Sequence, residues 1–233
     1  MKVLISILFF TFFVLTARSQ PSFVRLVTNK GDITLMLYDK TPKHRDVFLS
    51  MIRKGFYSNT LFNRVIRSFV SQAGELDETI MEREKLHPET PLERIPAEMD
   101  EALFHKKGAL GAGRNDNPEK SDYFTQIYLV AGKIQTDAQL DAIEKKKGRK
   151  IPAAQREIYK TIGGTPNLDQ DYTIFGEITD GMDVAETINS VPVTIELPVT
   201  PVTFHAEILS KKEAAKLWKK IGKESTLSLP VHK

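Results

Sequence analysis

Apolar and polar residues alternate with period two on both sides of Asn29-Lys30-Gly31-Asp32. Val24, Leu26 and Thr28 share one face of the first run, and Ile33, Leu35 and Leu37 share one face of the second. Such alternation around a glycine-containing turn predicts a β-hairpin. The period then changes. Thr41 as N-cap and Pro42 at the first helical position predict a helix start. Val47, Phe48, Met51 and Ile52 supply its apolar stripe, and Gly55 is its stop.

Leu61 to Ser71 is strand-like but interrupted by Asn63, Arg64, Arg67 and Ser68. A regular strand would put Phe62, Arg64 and Ile66 on the face opposite Asn63 and Val65. Gly74 to Asp100 is polar, acid-rich and carries Pro88, Pro91 and Pro96, which predicts a loop holding a single helical turn. Gly108 to Gly113 (GALGAG) is a stretch of small residues, and Thr125 to Val130 reads as a buried strand. Thr136 to Ile162 has helical period with breaks at Gly148 and Pro152, so a helical hairpin is expected between strands, with Leu140, Ile143, Ile158 and Ile162 as narrow apolar faces. A strand over Tyr172 to Ile178, a short helix over Met182 to Ile188 and a strand over Val202 to Leu209 follow. The tail is expected to be helical from Lys211 to about Ile221 and to fray from Ser225 to Lys233. Many short strands with helices early and late favour an antiparallel barrel capped by helices.

The first residues stand outside this scheme. Met1-Lys2 is followed by an apolar run from Val3 to Leu15, then by Thr-Ala-Arg-Ser-Gln with small residues at Ala17 and Ser19. The run is shorter than the ~20 apolar residues that a spanning helix needs. It reads as a secretory signal over 1–19, cleaved after Ser19, with an uncleaved membrane anchor as the competing reading. Export to the periplasm or medium is therefore expected, with no membrane association after cleavage.

Composition narrows the chemistry. The 233 residues are 41% hydrophobic and 27% charged, with no cysteine. Disulfide staples, thiolate metal sites and a thiol nucleophile are excluded. Losing Lys2 and Arg18 with the leader lowers the formal charge from +3 to +1, too little to argue for nucleic acid. The five histidines are scattered without ligand spacing and read as surface residues, and Glu75, Asp77, Glu78, Glu82 and Glu84 read as a solvated face. No GxSxG occurs, and no lysine follows the GALGAG glycines where a phosphate loop needs one. What remains is an arginine set among apolar residues, Phe62-Asn63-Arg64-Val65-Ile66, whose own local pattern favours a surface arginine covering apolar area with its stem.

Four ordered blocks carry a resemblance. FNRVIRSFVSQAG resembles the FHRVIpgFxxQGG segment of the cyclophilin-type peptidyl-prolyl isomerases, and TQIYLVAGK resembles their SQFFI strand. LDQDYTIFGEITDGMDV and TNKGDITLMLYDKTPKHRDVFLSMIRKGFY are similar to the family's late strand and to its opening hairpin and helix. The resemblance runs from about Phe23 to Leu209 and implies a closed antiparallel eight-stranded β-barrel, mainly β, capped by two helices. An isomerase domain over 20–209 is expected, with a helical insertion at about 134–165 like those of exported bacterial members, and a C-terminal helical tail over 210–233.

By the same resemblance, Arg64 matches the catalytic arginine and Gln72 the glutamine that orients it. Phe69 matches the floor of the proline pocket, with Val70 where methionine is usual. Gln126 and Tyr128 match pocket positions usually held by Gln and Phe, Leu168 the pocket wall, and Tyr172 a position of histidine or tyrosine. Gly113 and Arg114 match the main-chain stretch that binds peptide as if adding a strand. Asn63 replaces the usual histidine; Asn167 replaces the tryptophan next to the pocket-wall leucine, which implies weak binding of cyclosporin-type macrocycles. The implied activity is rotation about X-Pro bonds in proline-containing polypeptides, without cofactor or metal, by a monomer. A cyclophilin-like peptide-binding or chaperone module with little catalysis is the alternative.

Overall fold

A computed structural model describes residues 21–90 and 93–227; the expected signal peptide and residues 228–233 of the tail lie outside the described residues. The hairpin forms where the alternation places it, as β1 (Phe23–Thr28) and β2 (Gly31–Leu37). Val24 faces Leu35 and Leu26 faces Ile33 across the ladder, and all four are fully buried. The first helix, α1 (Pro42–Arg53), starts at the proline and ends before Gly55, whose φ of +76° suits a residue without Cβ. Its buried face is His44, Phe48 and Leu49, with Val47, Met51 and Ile52 only half-buried.

β3 (Thr60–Ile66) and β4 (Val70–Gly74) form the second hairpin. Their register shifts between Phe62 and Arg64, so the regular alternation expected here does not hold. Phe62 and Val65 both enter the central core, while Arg64 turns outward. A bulge re-aims side chains in this way.

The polar stretch after Gly74 corrects a second expectation. It holds a ten-residue helix, α2 (Asp77–Leu86), rather than a single turn. Asp77 and Glu78 lie at its positive end and Arg83 and Lys85 at its negative end. Arg83 grips Glu75 with both Nη atoms, and Ile80 is the one buried residue of the helix. One buried residue leaves no apolar period to read.

The chain continues through β5 (Arg94–Ile95), β6 (Ala109–Ala112), β7 (Asp122–Tyr123) and β8 (Gln126–Val130) to α3 (Asp137–Lys147) and α4 (Ala153–Thr161). β9 (Ile174–Asp180) begins two residues later than the alternation suggests. α5 (Met182–Asn189), β10 (Val193–Thr194), β11 (Leu197–Pro198), β12 (Thr203–Ile208) and α6 (Lys211–Leu227) complete it. Eight strands close a barrel in the order β1-β12-β3-β4-β8-β6-β9-β2, each pair antiparallel, which leaves no barrel edge unpaired. Phe48 and Leu49 of α1 and Ile188 of α5 join the apolar interior.

In the inserted hairpin the buried residues of α4 are Gln155 and Tyr159, the latter packed with Leu140 and Ile151, whereas Ile162 is exposed. α6 runs on past Ile221 to Leu227 and packs Ala214, Leu217 and Ile221 on Phe23 and Met36.

One wall of the barrel is buried on both faces, and that wall positions the site. All five residues of β8 are buried. Ile127 and Leu129 point into the barrel, while Tyr128 and Val130 join a second cluster outside it, with Val70, Ala109 and Ile174. The small residues of GALGAG serve this wall. A Cβ at Gly111 would overlap the Tyr128 ring, and one at Gly113 would overlap Gln126.

Candidate functional site

Outside that wall lies a cavity of about 600 Å³. Nine of the sequence-derived candidates line it: Arg64, Phe69, Val70, Gln72, Gly113, Arg114, Tyr128, Leu168 and Tyr172. Asn63, Leu76, Asp77, Glu78, Ile195 and Glu196 line it as well. Phe69, Leu168 and Tyr172 pack on Val70 and Tyr128 to give an apolar pocket. The Tyr128 and Tyr172 rings meet edge to face with centroids 6.2 Å apart.

Tyr128 is held from behind by a buried relay. Its hydroxyl lies 2.8 Å from His105 Nε2, and His105 Nδ1 lies 2.9 Å from Asp169 Oδ1. The carboxylate only accepts, so Nδ1 carries the proton and Nε2 accepts from Tyr128. Tyr159 of α4 donates to Asp169 Oδ2 at 2.8 Å, which links the insertion to the pocket wall. Burial, then the nearby Asp122, Tyr172 and Asp169, push the Tyr128 phenol well above its ordinary range, so the hydroxyl stays neutral.

Arg64 stands over the pocket with its side chain 43% exposed, and its Nε donates to Glu196 Oε2 at 2.6 Å. Gln72 lies directly across the ladder and lines the cavity, but among the described hydrogen bonds the guanidinium is held by Glu196, not by Gln72. A charge-assisted bond to carboxylate is stronger than one to a neutral amide. Glu196 sits 132 residues further along the chain, at a turn without a motif, and carries no sequence signal.

Two further placements differ from expectation. Gln126 is 2% exposed and does not line the cavity; its amide donates to Glu75 O and to Asp77, tying down the approach to α2. The Gly113 main chain is already used, with N–H to Gln126 O at 3.1 Å and C=O accepting from Tyr123 N–H at 2.8 Å. Arg114 carries no described main-chain hydrogen bond, and its guanidinium lies 4.5 Å from the Tyr172 ring centroid, donating to Asp171 O. Asn63 donates from Nδ2 to Gly74 O at 2.6 Å, which fixes its amide, and its buried Oδ1 has no partner among the described residues.

His44 and His105, expected on the surface, are both 1% exposed. His44 bridges Glu98 at 2.7 Å and Asp122 at 3.0 Å, pinning α1 to the β7 region. Burial pushes the Asp122 carboxyl up, partly offset by His44. At Glu98 burial also pulls upward, but the hydrogen bonds from His44 and Lys43 hold it below the usual range. His87 and His205 are exposed, and His232 lies outside the described residues. Glu75 and Glu84 are likewise not simply solvated, since they pair with Arg83 and Arg94. Among the described residues no group of three His, Asp or Glu could hold a metal ion, and no helix is long and apolar enough to cross a membrane.

Comparison with known proteins places these features in context. The family model described as "Cyclophilin type peptidyl-prolyl cis-trans isomerase/CLD" matches residues 23–207. A Staphylococcus saprophyticus protein named as a candidate peptidyl-prolyl cis-trans isomerase is 32% identical over 162 residues, covering 69% of this chain and 77% of that protein. A Streptococcus pyogenes protein named as a candidate bifunctional phosphatase and peptidyl-prolyl cis-trans isomerase is 30% identical over 67% of this chain, which spans only 31% of that longer protein. Two structures of a Cryptosporidium parvum cyclophilin-type isomerase, the second with the dipeptide Ala-Pro present, share the fold. Their TM-scores are 0.58 and 0.57 at 19% and 20% identity, covering 82% and 81% of this chain and 99% of that one.

Proposed function

The chain belongs to the cyclophilin-type peptidyl-prolyl cis-trans isomerase family, and we propose that its Arg64 cavity catalyses rotation about X-Pro bonds in exported polypeptides, assisting their folding. The observation that carries this reading is a guanidinium anchored through Nε alone above an apolar pocket of Phe69, Val70, Tyr128, Leu168 and Tyr172. The leader pattern at 1–19 supports export.

Rotation faces a barrier of ~18–20 kcal/mol because resonance gives the C–N bond double-bond character. No covalent bond is made or broken, so no nucleophile is needed. As the bond twists, the proline nitrogen regains its lone pair and becomes a better acceptor. With Nε engaged by Glu196, the two Nη atoms of Arg64 are left to donate to that nitrogen, which they would bind more strongly in the twisted state than in the planar one. Such a charged donor in a partly dry site supplies about 3 kcal/mol, roughly a hundredfold in rate.

The aromatic pocket holds the pyrrolidine ring while the chain on the other side of the bond turns. The N–H and C=O of Arg114, free among the described hydrogen bonds, take an extended substrate in the manner of an added strand. The substrate is a proline-containing polypeptide in an accessible, extended conformation. A balance near zero net charge after loss of the leader offers nothing to nucleic acid.

The test is an isomerisation assay on short X-Pro peptides with the wild type and Arg64→Ala. Fast exchange by the wild type that Arg64→Ala loses supports the reading. A wild type that binds peptide without accelerating exchange moves the protein to the peptide-binding alternative.

A further inference from the structure

The tip of the β10–β11 hairpin departs from what its geometry calls for. β10 and β11 are joined by only two residues, Ile195 and Glu196, with φ of +48° and +66°. Two-residue hairpin turns with both φ values positive favour Asn-Gly or Asp-Gly, and a β-branched residue there is an outlier. The chain instead places Ile195 and Glu196, and the isoleucine is 95% exposed. Local stability therefore opposes this dipeptide, and solvation opposes it too.

The position of the tip resolves the conflict. Both residues line the Arg64 cavity. The Glu196 carbonyl accepts from Val65 N–H at 2.7 Å, docking the tip beside the bulged strand that carries Arg64. The Glu196 carboxylate takes Arg64 Nε at 2.6 Å. The strained conformation thus delivers a carboxylate to the guanidinium and leaves an uncovered apolar side chain at the cavity rim. Strained residues that persist in this way cluster at functional sites.

The geometry points to the Ile195–Glu196 tip as the specificity and positioning element of the site: Glu196 orients Arg64, and Ile195 contacts an apolar substrate side chain adjoining the proline. This inference rests on the isomerase reading above. The chemistry favours clients whose X-Pro bonds are flanked by apolar residues, as in unfolded segments destined for a core. Glu196 is a positioning residue, since it acts through Arg64, whereas Ile195 touches the substrate.

The experiment compares wild type, Glu196→Gln and the double change Ile195→Asn with Glu196→Gly, all as the full folded domain. Thermal unfolding is measured with kcat and KM on two peptide series that vary the residue before and after proline among Leu, Ala, Glu and Lys. Glu196→Gln keeps the Val65 contact and is expected to lower kcat at least about threefold while KM changes less than about twofold, the scale of one charge-assisted hydrogen bond. The Asn-Gly tip relieves the strained turn and is expected to raise Tm by about 2–4 °C. In the same variant the preference for Leu over charged flanking residues falls at least about threefold, as loss of one apolar contact implies.

A tip with only a structural role predicts higher Tm with unchanged kcat and unchanged preference. An unchanged kcat in Glu196→Gln, or an unchanged Leu preference in the Asn-Gly variant, overturns the inference. An inactive wild type overturns the isomerase reading itself, and an active wild type separates the two failures.

Discussion

Tyr159→Phe tests the relay that joins the inserted hairpin to the pocket wall. The change keeps the ring, its edge contact with Phe104 at 5.5 Å and its packing with Leu140 and Ile151, and deletes only the hydroxyl. That hydroxyl donates to Asp169 Oδ2 at 2.8 Å in a place where Tyr159 is 0% and Asp169 2% exposed. No solvent can replace it, so one oxygen of a buried carboxylate loses its donor. Hydrogen bonds to charged groups contribute ~1.5–3 kcal/mol, and the expected loss is about 2 kcal/mol. For a domain of this size that is a fall in Tm of about 4–8 °C. Tyr128→Phe at the other end leaves His105 Nε2 without its donor. Because both hydroxyls act through the same His105–Asp169 pair, the double variant is expected to depart from the sum of the singles by at least ~0.5 kcal/mol. Chemical denaturation of the four proteins measures this. Unchanged stability in Tyr159→Phe, or strict additivity, would refute the relay.

Other consequences concern the insertion and the wall. Lys150, the Ile151 N–H and Arg156 hold Glu144 at a pKa of about 2 against its ordinary 4.5. Folding favours its charged form, so its stabilisation is full above about pH 4.5 and fades as pH falls towards 2. The Tm gap between wild type and Glu144→Gln should therefore be widest above about pH 5 and close by about pH 2, and a gap that is constant with pH contradicts the assignment. Gly111→Ala drives a methyl into the Tyr128 ring. Overpacking of this kind costs about 1–3 kcal/mol, and displacement of the pocket wall should raise KM for X-Pro peptides; an unchanged KM contradicts the placement of Tyr128.

Much of the fold and of the site is legible in the chain itself. The first hairpin declares itself through Val24, Leu26, Ile33 and Leu35, because burial on one face writes a period of two into the residues. Arg64, Phe69 and Gln72 lie within one short block and so travel together into one cavity. The features that escape the sequence share a cause. α2 buries only Ile80, His44 and His105 are single buried polar residues, and Glu196 reaches Arg64 from 132 residues away. None of these leaves a periodic or contiguous trace, since each depends on a tertiary partner. The bulge at Phe62–Arg64 is of the same kind: it reverses the faces of a strand whose residues alternate acceptably without it.

The central claim is that the Arg64 guanidinium lowers the barrier to X-Pro rotation. Exchange spectroscopy on a single X-Pro peptide, with wild type, Arg64→Lys and Arg64→Ala at matched concentration, tests it most directly. The account predicts cis–trans exchange accelerated far beyond the uncatalysed time of tens to hundreds of seconds by the wild type, and a loss of roughly a hundredfold in Arg64→Ala with Tm preserved. Arg64→Lys is predicted to remain impaired, since an ammonium cannot serve Glu196 and the proline nitrogen with one planar fork. Wild-type exchange rates in Arg64→Ala would contradict the account.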